Sequence, residues 1–235
     1  MINEKKILVF TATYNEKENI KILINSIFKN YPNVDMLIVD DNSPDNTAEE
    51  INLLKKEYKN ITLVKRASKL GLDTAHKIAY NYALDNNYDY LITMDADLSH
   101  DPAEIPNFLR HLKNFDFVLG SRYMKGGRNE LAFFRFILSF FGNKFIKFTL
   151  NLNFTEFTSA YRGFNLKKMK KFDLKMINSK GYSFFMETIY QINKFKYTTY
   201  EIPIIFASRE QGKSKIPKIE IIRTLFNVLR LSFRK

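Results

Sequence analysis

The sequence predicts an α/β fold, a mostly parallel sheet flanked by helices, and three observations carry that prediction. Across residues 1–120 short apolar runs alternate with polar stretches of helical period, the pattern of strand–helix–strand units. The runs are followed by loops rich in Asn, Asp, Ser and Thr that open the next helix. A chain of 235 residues that is 45% hydrophobic also has ample material for one substantial core.

In chain order, strands are expected over 6–12, 36–40, 61–65, 90–94 and 116–120, with helices over 16–29, 47–58, 74–86 and 102–113. Three helix starts are marked by local chemistry. Asn15 and Thr47 each precede a Glu by three, and Asp101-Pro102-Ala103-Glu104 combines a capping acid with proline at the first helical position. The second half reads as a Phe-rich amphipathic helix from Leu131 to about Asn151, a mixed region with a strand near 197–206, and a basic amphipathic helix over 218–234. No repeat or low-complexity linker divides the chain. A single domain over 1–235 is expected, with only a compositional change near residue 121.

That change is one of charge. Residues 1–120 carry 14 Lys+Arg against 18 Asp+Glu and residues 121–235 carry 23 against 7, so the whole excess of +12 arises in the second half, interleaved with Phe, Ile and Leu. An anionic partner is implied. Nucleic acid is one such partner, but Phe at helical spacing favours an anionic membrane surface or a lipid phosphate, because apolar insertion adds to charge there. The absence of cysteine excludes a disulfide scaffold, zinc–thiolate sites and thiol nucleophiles. The first residues lack the pattern of a secretory signal, and Arg135, Lys144 and Lys147 interrupt the most apolar window, so neither export nor a spanning helix is expected.

Chemistry concentrates after the strands, where ligands gather in open α/β sheets. Asp95-Ala96-Asp97 follows an apolar run, and side chains two apart on extended backbone point the same way, so two carboxylates converge. Oxygen-only ligands favour a hard cation, Mg²⁺ or Mn²⁺, which bridges the oxygens of a diphosphate. Acids in such a loop also serve simply as helix caps. Asp40-Asp41 follows another strand, where a carboxylate can accept hydrogen bonds from a base or ribose, although Asp-Asn-Ser-Pro-Asp-Asn is equally a turn. No glycine-rich phosphate loop is present, which itself argues for a metal-held diphosphate. His76 and His111 fall within expected helices and His100 beside the acidic motif, so histidine offers little general-base chemistry.

Several segments stand in order along nearly the whole chain: Ala12-Thr13-Tyr14-Asn15-Glu16, Val39-Asp40-Asp41-Asn42-Ser43-Pro44-Asp45, Lys69-Leu70-Gly71-Leu72-Asp73-Thr74-Ala75, Met94-Asp95-Ala96-Asp97-Leu98-Ser99 and Gly120-Ser121-Arg122-Tyr123. Tyr161-Arg162-Gly163-Phe164, Gly181 to Glu187, Glu201 to Phe206 and Arg209 to Lys215 continue the series. Together they resemble the family 2 glycosyltransferases and, within them, the dolichol-phosphate mannosyltransferase (polyprenyl-phosphate glycosyltransferase) group. That resemblance implies a GT-A, Rossmann-like fold that moves a sugar, usually mannose from GDP-mannose, onto the phosphate of a polyprenol or dolichol at the cytoplasmic membrane face.

Carried over by position, the resemblance implies nucleotide-sugar contacts at Thr13, Tyr14, Glu16, Asp40, Asp41, Asp95, Ala96 and Asp97, with Arg209 and Lys215 on a closing loop. It implies metal ligation by Asp95 and Asp97 with Ser99 beside them, and an acceptor-phosphate clamp of Arg122, Arg135 and Ser139; Asp97, Arg122, Arg135 and Ser139 are thus the expected catalytic set. The chain departs from the family pattern at Ala12 for proline, at Asp73 for the second glycine of the Lys69 segment, and at Phe185 for glutamine. The expected product is a polyprenyl-phosphate sugar, made by a peripheral enzyme with or without a membrane-anchoring subunit. Another nucleotide sugar such as UDP-glucose, a glycan acceptor, and a basic nucleic-acid-binding protein are the alternatives; the last leaves the ordered acidic loops unexplained.

Overall fold

A computed structural model describes residues 5–130, 133–207 and 219–233. The first half runs β1 (Ile7–Thr13), α1 (Lys17–Asn30), β2 (Asp35–Asp40), α2 (Thr47–Glu57), β3 (Ile61–Lys65), α3 (Leu72–Asp85), β4 (Tyr90–Thr93), α4 (Ile105–Leu112) and β5 (Phe117–Ser121), so each expected strand and helix is present within a few residues. The second half adds β6 (Arg128–Asn129), α5 (Phe133–Leu150), β7 (Arg162–Asn165), α6 (Tyr182–Lys194), β8 (Thr199–Pro203), β9 (Ile205–Phe206) and α7 (Ile219–Ser232). Seven strands form one sheet in the order β3-β2-β1-β4-β7-β5-β8, parallel except for β7, while β6 and β9 make a small separate ribbon.

Alternate side chains of the central strands enter two cores. Leu8, Phe10, Leu37 and Val39 meet α3, α6 and the inner sides of α5 and α7; Val9, Met36, Ile38 and Ile92 meet α1, α2 and α4. Strands covered on both faces read as continuous apolar runs, which is why β1, β2 and β4 were legible. β7 was not, since Arg162-Gly163-Phe164-Asn165 has no strand-like alternation. It enters the middle of the sheet because Gly163 lets α4 approach: a Cβ there would meet Leu112 and Phe108 at 2.9 and 3.0 Å. Arg162, wholly buried, satisfies its guanidinium on the carbonyls of Ser159, Phe185 and Phe157 at 2.7, 3.0 and 3.3 Å. α6 was hidden for a related reason, because Ser183 to Tyr190 are buried on every face and the polar Ser183, Glu187 and Thr188 are buried with the apolar residues.

Two expected caps are corrected. α1 starts at Lys17 with Asn15 in left-handed backbone, and α2 starts at Thr47 after a left-handed Asn46; neither Asn15 nor Thr47 caps its helix with a side chain. Asp45 does that work for both, accepting from the amides of Lys17 and Thr47 at 3.2 and 3.1 Å. Burial pushes its carboxyl up, but the hydrogen bonds from Thr47 and Lys17 outweigh this and hold it below the usual carboxylate range. At Asp101 the expected cap is present, with its carboxylate accepting from Ala103 N at 2.8 Å.

Candidate active site

The chain order reverses between β1 and β4, and a crevice opens beyond the carboxyl ends of strands at such a switch point. A cleft of about 220 Å³ lies there. Its walls are the end of β1 and the loop after it (Thr13, Tyr14, Glu16), Asp41 after β2, Lys69, Gly71 and Leu72 at the start of α3, and Asp95, Ala96 and Asp97 after β4. The second half closes it with Thr158, Ala160, Gly181, Tyr182 and Phe185. Of the residues expected to meet a nucleotide sugar, Asp40 alone among those described stands back. It is wholly buried and accepts from Thr13 Oγ1, Ser43 N and Ser43 Oγ at 2.8, 2.9 and 2.6 Å, so it shapes the loop that carries Asp41. Arg209 and Lys215 lie outside the described residues.

Asp41 pairs with Arg66, whose guanidinium also bonds the carbonyl of Gly71 at 3.1 Å, tying the β2 loop to the start of α3. Lys69 holds its ammonium 4.0 Å above the Tyr14 ring. Neither Arg66 nor Lys69 was singled out from sequence as a site residue, since an isolated basic residue after a strand carries no signal until the fold brings an acid or a ring to it.

Asp97 is buried and accepts from Ser99 N and Oγ at 3.2 and 2.5 Å, so the Ser99 hydroxyl orients this carboxylate. His100 Nδ1 accepts the backbone N–H of Asp95 at 3.0 Å. Burial drives this imidazole down to about 3, with Asp97 opposing and Arg122 assisting, so it is neutral at physiological pH and acts as a fixed acceptor under the loop. The donor set fits a hard divalent cation: two carboxylates reach one cleft, and among the described residues no cluster of three or more His, Cys, Asp or Glu forms a closed cage. A cation held here would keep coordination positions for oxygens of its ligand.

Arg122 lies behind Thr158, donating to Glu156 Oε2 at 2.8 Å and Thr158 Oγ1 at 3.0 Å, with the Phe206 ring 4.5 Å away. Its side chain is only 8% exposed and that of Glu156 0%; burial lowers the arginine's affinity for its proton, but Glu156, with Tyr123 and Asp95, more than restores it. Glu156 was missed in the sequence, as a lone acid among aromatics has no motif. Ser139, on α5, hydrogen-bonds the Tyr123 hydroxyl, and the Tyr123 ring lies 5.2 Å from the Arg122 guanidinium. Ser139 therefore joins the Arg122 cluster through Tyr123. Arg135, one turn earlier on α5, is exposed.

The comparisons with known proteins bear on the family and the fold. Residues 8–172 match the family described as glycosyl transferase family 2. An undecaprenyl-phosphate mannosyltransferase of Micrococcus luteus is 32% identical over 226 residues, covering 96% of this chain and 93% of its own. A polyprenol monophosphomannose synthase of Mycolicibacterium smegmatis is 32% identical over 235 residues, covering 98% and 88%. Among solved structures, glucosyl-3-phosphoglycerate synthase of Mycobacterium tuberculosis with Mn²⁺ and UDP superposes at a TM-score of 0.68 with 13% identity, over 97% of this chain and 79% of that one. A mannosyltransferase of Pyrobaculum calidifontis with GDP-mannose and Mn²⁺ does so at 0.62 with 18% identity, over 98% and 64%. The mostly parallel sheet flanked by helices is thus the expected GT-A-like scaffold, and the chain belongs to glycosyl transferase family 2.

Proposed function

We propose that the protein transfers mannose from GDP-mannose to the phosphate of a polyprenol, with inversion, while docked on the cytoplasmic face of a membrane. One observation supports the lipid acceptor above all. α5 carries exposed Phe133, Leu138, Phe141, Phe145 and Phe148 on one side, and its Ser139 meets Tyr123 beside Arg122 on the other. α7, packed against α5, adds exposed Ile222, Leu225, Phe226 and Leu229, and Phe233 follows directly after it. Amphipathic helices of soluble proteins normally turn such faces into the core, and large exposed apolar patches mark interaction surfaces. No helix among the described residues is long and apolar enough to cross a membrane, so the reading is of helices lying on its surface.

A phosphate monoester has a second pKa near 6, so the acceptor is largely dianionic at neutral pH and needs no general base. Its oxygen attacks the anomeric carbon as the bond to the nucleoside diphosphate breaks, giving one inversion. Asp95 and Asp97 would hold Mg²⁺ or Mn²⁺, which supplies positive charge to offset that of the leaving diphosphate. Thr13, Tyr14, Glu16 and Asp41 line the part of the cleft assigned to the nucleotide. Arg122, Arg135 and Ser139 are assigned to the acceptor phosphate, for which guanidinium supplies a two-pronged donor.

The direct test offers the purified protein a panel of labelled nucleotide sugars, Mg²⁺ or Mn²⁺, and a polyprenyl phosphate. Label should reach the organic phase from GDP-mannose and should not do so when the acceptor is withheld. Arg135→Ala should then lower kcat/KM for the polyprenyl phosphate by ~10² or more, since losing a contact to a charged group costs on the order of 1.5–3 kcal/mol. GDP-mannose affinity should stay within about threefold, and Arg135→Lys should recover only part of the loss. Unchanged transfer would remove Arg135 from the acceptor site.

Membrane docking makes a separate prediction. Vesicles containing phosphatidylglycerol should bind the protein better than neutral ones, and salt should weaken the binding, with each nearby Lys or Arg worth roughly 1 kcal/mol. Phe148→Ser and Phe226→Ser, at side chains 77% and 68% exposed, should each reduce partitioning without lowering thermal stability. Equal binding to neutral and anionic vesicles, or none to either, would refute the electrostatic part of the reading.

A further inference from the structure

The loop over 177–182 forms one wall of the donor cleft through Gly181 and Tyr182, facing Gly71 and Leu72 at the start of α3. Gly181 sits at φ +60, a conformation that L side chains rarely adopt, so the local backbone does not hold this wall by itself. It is held from two sides. On the α3 side, Asp73 Oδ1 accepts the Gly181 N–H at 3.2 Å and Lys77 Nζ donates to the Ile177 carbonyl at 2.7 Å. Asp73 lies in the first turn of a 14-residue helix, where a carboxylate is favoured, and it occupies the position at which the family pattern has glycine.

On the other side the tie runs to α7. Glu187 of α6, wholly buried, accepts from Ser179 N at 2.8 Å and from Arg230 Nη2 at 3.0 Å. Arg230 also reaches Ser179 Oγ at 2.9 Å, and Ser183 and Thr224 hydroxyls meet at 3.3 Å where the two helices cross. The helix that carries part of the exposed apolar face is therefore bonded, through one buried carboxylate, to the loop that walls the cleft. Removing Arg230 would leave that carboxylate buried without its cation, which is costly enough to loosen what it holds.

We propose that Asp73 and Arg230 are positioning residues that strap the 177–182 loop between α3 and α7, so that the seating of α7 sets the width of the donor cleft. The strap is independent of which sugar is transferred; its effect on donor affinity rests on the function proposed above. Amide hydrogen exchange of the full chain, read by mass spectrometry with and without phosphatidylglycerol vesicles, tests the strap without substrate. Asp73→Ala and Arg230→Ala should each speed exchange across 177–182 by ~5-fold or more, the change expected from losing one hydrogen bond of about 1 kcal/mol. Asp73→Asn, which keeps an acceptor oxygen, should restore it. Vesicles should slow exchange at 177–182 in the wild type but not in Arg230→Ala.

With GDP-mannose and Mn²⁺, Asp73→Ala should raise the donor KM by about fivefold and leave kcat within about twofold, a split that general destabilisation would not produce. Acceleration confined to 219–233 in Arg230→Ala, or an unchanged 177–182 segment in Asp73→Ala, would overturn the proposal. A wild-type protein that fails to bind GDP-mannose would instead overturn the assigned donor, and the exchange measurements would still decide the strap.

Discussion

Asp97→Asn should lower turnover at least ~100-fold, about 2.7 kcal/mol of barrier, while the protein still folds. The substitution removes a charged ligand from the pair that would hold the divalent cation, yet keeps a side-chain oxygen to accept from Ser99 N and Oγ, so the loop after β4 retains its local bonds. Thermal unfolding should therefore be close to that of the wild type. EDTA should abolish wild-type transfer, and Mg²⁺ or Mn²⁺ should restore it. Isothermal titration should show GDP-mannose binding to the wild type that depends on the metal. Full activity in EDTA would take the metal role away from both Asp95 and Asp97.

The second large effect concerns Arg122, where stability and chemistry must be separated. Arg122→Ala strands Glu156, whose side chain is 0% exposed, and breaking a buried pair from one side costs about 3–5 kcal/mol. In a chain of 235 residues that corresponds to a fall in Tm on the order of 10 °C, since each kcal/mol shifts Tm by roughly 2–4 °C at this size. Neutralising the partner as well, in Arg122→Met/Glu156→Gln, should recover most of the stability. The amide oxygen can still accept from Phe157 N or from Thr158 N and Oγ1, which lie at 3.1, 2.8 and 2.8 Å from the native carboxylate. Transfer to polyprenyl phosphate should remain at least ~10²-fold down in the double variant, because losing a contact to a charged group costs on the order of 1.5–3 kcal/mol. Transfer that returns together with stability would reduce Arg122 to a support for the 155–158 segment.

The sequence by itself determined β1 to β5, α1 to α4 and the loops that carry Tyr14, Asp41, Asp95 and Asp97. Their signals are local: apolar runs of strand length, a 3.6-residue period, and polar residues just before each helix. It also placed Asp101 correctly as a cap, because a capping acid and its amide lie two residues apart. What it left undetermined depends on partners far apart in the chain. Asp45 displaced the expected caps because the starts of α1 and α2 meet on it, 28 residues from Lys17. β7 could enter the sheet because Gly163 admits α4 and because carbonyls from two segments, the 157–159 loop and α6, surround Arg162. Glu156 acquired a meaning 34 residues from Arg122, and Asp73 acquired one 108 residues from Gly181. The outward faces of α5 and α7 belong to the same class, since an amphipathic period says that a helix has an apolar side and only packing decides whether that side is covered. Here Ile146, Leu150, Val228 and Leu231 fill the core while Phe133, Phe141, Phe145, Phe148 and Phe226 remain exposed, because each helix turns only one of its sides to the body it packs on.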